Sequence, residues 1–197
     1  MSVQHEIDKA RQFGEQLEDL VVRRGQCPYD DRNILLLGYW ALLFDYHNSI
    51  LGLLSNGLCG GAFALVRPVV EALVRSHLVL MGSDEHVRKI REDEYRVNFE
   101  KIGSQIDRAF GLDGFFTNFL DNARTALHSY THSGTSQLAR RFDGHDLKPH
   151  YKDDEIIEVV HCSSTAVFMV TNLVTKRLKF DAEAKRAGEL FTEWGKH

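Results

Sequence analysis

From Val3 to Trp194 the apolar residues recur at helical intervals, and no stretch sustains the period-two alternation of a half-buried strand. That pattern restricts the chain to an all-α architecture: one helical-bundle domain over residues 1–197, with about six or seven helices and no sheet. Val3, Ile7, Ala10, Leu17 and Val21 mark a first helix ending near Gly25. Asp30 or Asp31 caps a second, which runs to about Ser55 and is apolar around most of its circumference, as suits a central position. Asn56-Gly57 ends it, and Gly60-Gly61 completes a tight connection to a third helix over 62–81. Pro68 marks a kink in that helix or a start near Arg67. Ser83 caps a fourth, polar helix reaching Phe110, and Asp113-Gly114 opens a fifth that carries Phe116, Phe119, Leu120, Ala123 and Leu127. Residues 133–152 read as irregular. A long helix starts at Asp153, and Asp181 caps a short last one.

Two helices carry ionisable groups in register. If the fifth runs into Thr131, then Arg124, His128 and His132 follow at i, i+4 and i+8 and share one face, with Asp121 beside them. Gly134 stops the helix and leaves His132 near its C-terminal end, where the dipole favours imidazolium. Histidine takes and returns protons near neutral pH, and arginine holds a phosphate or a developing oxyanion. Arg124, His128 and His132 are therefore the candidate catalytic residues. In the third helix Arg67, Glu71 and Arg75 repeat the i, i+4, i+8 spacing on an otherwise apolar helix. With Arg140 and Arg141 they are the candidate binding residues. Each set has a plainer reading, in which the same side chains form a structural seam holding helices in register.

Charge and cysteine content narrow the classes. The chain of 197 residues has a formal net charge of −4, unlike a generic polyanion binder. Residues 124–152 are locally basic, with Arg124, Arg140, Arg141, Lys148 and Lys152 against Asp143 and Asp146. The three cysteines, Cys27, Cys59 and Cys162, are widely spaced and form no CxxC pair, which favours a reduced cytoplasmic protein over a disulfide framework or a structural zinc site. Cys59 has no base near it in sequence. The charged N-terminus is not a secretory signal, and the apolar runs 33–54 and 62–81 carry too many polar residues to favour membrane spans. His128 and His132 have a spacing that lets two imidazoles meet one ion, with His145 or Glu71 as a third ligand. Ser129, however, stands where a metalloprotease helix has glutamate. The expectation is no metal and no cofactor.

The segments SNGLCGGAFALVRPVVEALVR (55–75) and ALHSYTHSGTSQLARR (126–141) together resemble a group of uncharacterised bacterial helical domains, which is similar to the HEPN superfamily. The resemblance covers less than a quarter of the chain. It implies a helical bundle that homodimerises. It also implies metal-independent cleavage of RNA, of the toxin–antitoxin or phage-defence type. The HEPN signature is Arg, four to six residues, then His. Here Arg124 is separated by three residues from His128 and by seven from His132, and Arg140 by four from His145.

Overall fold

The computed structural model describes residues 2–25, 28–122 and 138–196. Among them are eight helices: α1 (Val3–Val22), α2 (Asp31–Ser55), α3 (Cys59–Met81), α4 (Asp84–Arg91), α5 (Phe99–Phe110), α6 (115–122), α7 (Asp153–Arg177) and α8 (Asp181–Trp194). The all-α expectation is met, with more helices than the six or seven expected. The extra one arises because the polar helix expected over 83–110 is broken. Asp93 adopts a left-handed φ of 54°, and the amides of Glu94 and Tyr95 fold back onto the Lys89 carbonyl at 2.8 and 3.1 Å. This is a helix stop usually built with glycine, and an aspartate in its place gives no breaker signal.

Two further boundaries move. α3 begins at Cys59, so Gly60 and Gly61 form its first turn rather than a connection, and Pro68 lies inside it. α8 has Phe180, not Asp181, at its N-cap. The caps of α2 and α4 are as expected. The Asp30 side chain accepts from the Arg32 amide at 2.9 Å, and Ser83 accepts from His86.

α7 packs against α1, α2, α3 and α8, and α2 against α1, α3 and α7. Among the described residues α7 is the helix long and apolar enough to cross a membrane, with a mean hydropathy of 1.4. Here 56% of that window is buried against its neighbours. The apolar runs 33–54 and 62–81 likewise supply core residues, from Leu36 in α2 to Val79 in α3.

Polar groups inside this core are placed by hydrogen bonds. His47 of α2 is fully buried between Ser163 of α7 (Nδ1 to Oγ, 3.0 Å) and the Ala10 carbonyl of α1 (Nε2 to O, 3.3 Å). Gly14 makes room for that ring, because a Cβ there would lie 2.9 Å from Nε2. Trp40 Nε1 donates to Thr171 Oγ1 at 3.2 Å. α6 is capped from another helix: Asp107 of α5 accepts from the amides of Phe116 (2.8 Å) and Thr117 (3.0 Å). Asp113 and Gly114, with φ of 46° and 82°, only turn the chain into it.

The expectation of no sheet is corrected in one place. Phe142–Asp143 (β1) and Asp146–Leu147 (β2) pair antiparallel through a turn at Gly144-His145, with Gly144 at φ 63°. Glycine at the first turn position, held at positive φ, is the local hairpin signal here. At two residues per strand, the hairpin leaves no alternation for a periodicity reading to find.

Candidate anion-binding site

The hairpin carries Arg140 and Arg141 to the start of α3. Two bonds continue its ladder, Lys148 N to Arg141 O and His150 N to Arg140 O, both at 2.8 Å. They fix the base of the hairpin beside the turn that enters α3. That turn contains Gly57 at φ 71°, and Leu58 at the N-cap makes no side-chain cap, its carbonyl accepting from the Gly61 amide at 3.0 Å.

Gly60 is where the two parts meet. A Cβ there would lie 2.7 Å from Arg141 Nη2 and 3.1 Å from the Tyr151 hydroxyl, so only glycine leaves both groups in place. The Tyr151 ring leans on Phe63, one turn further along α3, with centroids 5.2 Å apart. Its hydroxyl oxygen is buried and has no hydrogen-bond partner. The Arg141 guanidinium makes no ion pair or hydrogen bond with the described residues. A cation thus stands at the positive end of a helix dipole, next to an unsatisfied hydroxyl. Arg141 is exposed and solvated, whereas the Tyr151 hydroxyl is buried; an anion seated here pairs the guanidinium and accepts from the hydroxyl.

The flanking charges are committed. Arg140 pairs with Glu155 in the first turn of α7. Arg67, seven residues beyond Gly60, lies within about 20° of its face and about 10 Å further along the axis. Its Nε donates to Glu71 Oε1 at 2.8 Å, and both side chains are 33% exposed. The Arg67–Glu71–Arg75 stripe is therefore only half formed. Arg75 turns away from Glu71 to Asp93 (3.3 Å) and the Tyr95 carbonyl (3.2 Å). Burial pulls the Arg75 pKa down, but Tyr39 and Asp93 outweigh it and the pKa is raised. Arg75 is thus a brace for the α4–α5 turn rather than part of the site. Arg140 and His145, the pair with HEPN-like spacing, sit at the base and in the turn of the hairpin, with Arg140 engaged by Glu155.

Arg124, His128 and His132 lie outside the described residues, and so does the alternative metal pair of His128 and His132. Segment 123–137 joins α6 to the residues just before Arg140. Cys59 opens α3 beside Arg141. Burial raises its thiol pKa, against the lowering effect of its own amide and of Arg141, so it remains a protonated thiol. No group of three His, Cys, Asp or Glu side chains is placed to share a metal ion among the described residues.

A family model spans residues 40–191, from the middle of α2 to Phe191 of α8, and takes in Gly60, Arg141 and Tyr151. The chain belongs to a family of unknown function, DUF6988. The comparisons with curated proteins and with solved structures return no match. Of the chain of this DUF6988 protein, α1 and the first part of α2 lie outside the matched span.

Sequence reasoning reached Arg140 and Arg141 but missed Gly60 and Tyr151. The paired glycines were a signal of close approach. Tyr151 carried none, because its hydroxyl matters only through what lies beside it.

Proposed function

We propose that this DUF6988 protein is a HEPN-like, single-domain, cytoplasmic homodimer that binds RNA by its phosphates and cleaves it without a metal ion. The observation that carries the reading is the unpaired Arg141 guanidinium at the start of α3, beside the buried, unpartnered Tyr151 hydroxyl. A phosphodiester at this point accepts from the guanidinium and from the hydroxyl, and lies on the positive end of the helix.

The chemistry follows from the residues between α6 and Arg140. One of His128 and His132 removes the proton from the substrate 2′-hydroxyl, whose oxygen attacks phosphorus. The other protonates the departing 5′-oxygen, leaving a cyclic 2′,3′-phosphate and a free 5′-hydroxyl. Arg124 and Arg141 balance the charge that builds on the phosphoryl oxygens. No step requires an ion.

The test is purified protein with mixed-sequence RNA, with and without EDTA, beside Arg141→Ala, His128→Ala and His132→Ala. Cleavage that survives EDTA, disappears in both histidine variants and weakens in Arg141→Ala fits the proposal. RNA that neither binds nor is cut between about pH 5 and 8, where histidine titrates, removes it. In that event the engaged pairs Arg140–Glu155 and Arg67–Glu71 favour the second reading, a non-catalytic interaction protein whose Arg/Glu/His seam is structural.

A further inference from the structure

A second recess lies towards the other end of α3. Between α3, the end of α5, the start of α6, α7 and α8 is a cavity of about 500 Å³. His77 lines it, 17 residues beyond Gly60 and so about 25 Å along the helix from the anion-binding site. The volume falls in the range that holds small organic ligands, and the walls are apolar and aromatic: Leu80, Phe110, Phe115, Phe168, Met169 and Phe191. Phe168 and Phe191 stack at 4.0 Å, and Phe115 stands 44% exposed.

Three polar side chains in this apolar wall have hydrogen-bonding capacity to spare among the described residues: His77, Lys176 and the half-buried Asn172. His77 is only 2% exposed, held edge to face by Phe110 and Phe116 with centroids 5.1 and 4.7 Å away. Its Nδ1 lies 2.8 Å from the Leu73 carbonyl. A carbonyl only accepts, so the proton of the neutral ring is on Nδ1 and Nε2 presents a lone pair. No described residue donates to Nε2. Burial pushes the pKa down to about 4, against the opposing bond to Leu73, so the ring stays an acceptor at neutral pH. The second group is Lys176, exposed on α7 and without an ion-pair partner among the described residues. Its neighbour Arg177 is occupied by Asp30 at 2.8 Å and Asn33 at 2.9 Å.

We infer that this cavity binds a small monocarboxylate with an apolar body, its carboxylate at Lys176 and a hydrogen-bond donor at its buried end on Nε2 of His77. The apolar walls supply most of the binding, Lys176 selects the charge of the head group, and His77 selects a hydroxyl over a methyl at the far end.

The experiment is titration calorimetry of the purified full chain with decanoate, 10-hydroxydecanoate and decanol, on wild type, Lys176→Glu and His77→Phe. Wild type is expected to bind both acids saturably, with decanol weaker. Lys176→Glu, a surface change, should weaken both acids by about tenfold or more and leave decanol unaffected. His77→Phe should weaken 10-hydroxydecanoate alone by about tenfold, because its hydroxyl is then buried without a partner. If circular dichroism shows that His77→Phe does not fold, Leu112→Trp fills the cavity from its half-exposed wall and should abolish binding of both acids. Absence of saturable heat with the acids, or equal acid affinity in Lys176→Glu, overturns the inference. RNA cleavage is unaffected by either result, so failure here is distinct from failure of the anion-binding site.

Discussion

Mild acid should destabilise this fold through two histidines. His47 and His77 are buried and neutral, and burial lowers both pKa values from 6.5 to about 4. Between those values the unfolded chain binds more protons than the native one, so stability rises with pH across that interval. The stabilisation is complete above about pH 6.5 and is lost progressively as the pH falls towards 4. From about pH 7.5 down to pH 5, each histidine removes about 2 kcal/mol, at about 1.4 kcal/mol per pK unit. Together they remove about 4 kcal/mol, a large share of a typical stability of about 5–15 kcal/mol. The assay is urea denaturation followed by far-ultraviolet circular dichroism at the two pH values, for wild type and His77→Phe. The midpoint should fall steeply in the wild type and about half as far in the variant. A wild-type midpoint that does not move, or an equal fall in both proteins, would refute the assignment of these two rings as buried neutral groups.

Gly60→Ala should leave the fold intact, or stabilise it by up to about 1 kcal/mol through helix propensity. It should also displace the Arg141 guanidinium and weaken RNA binding, measured by fluorescence anisotropy. Glu71→Ala should cost at most about 1 kcal/mol in a chemical melt, because Arg67 is a third exposed and Arg75 has other partners. Cys162, whose thiol is pushed up to about 12 by burial, should resist alkylation at pH 8 until the protein is unfolded, as read by mass spectrometry. Light scattering at micromolar concentration should give the mass of a dimer, and a monomer mass would count against the proposed assembly.

The sequence determined the fold class and most of the helices, because both rest on local information. The spacing of Ile7, Ala10, Leu17 and Val21 already states which face of α1 is buried, and Asp30 and Ser83 announce their caps within three residues. Where the deciding group was remote, the sequence was silent. Asp107 caps α6 from another helix, Asp93 replaces the expected glycine at a helix stop, and Arg75 leaves its i−4 glutamate for a turn 18 residues away. The candidate sites depended on the tertiary structure most of all. Arg141 and Tyr151 acquire significance only because Gly60, some 80 and 90 residues earlier, lets both approach a helix end. His77 is one polar residue in an apolar helix by sequence, and only packing encloses it with Phe110 and Phe116 and sets it in a cavity wall. Helical periodicity records which side of a helix avoids water, and the chemistry of a buried polar atom is set by neighbours that only packing brings to it.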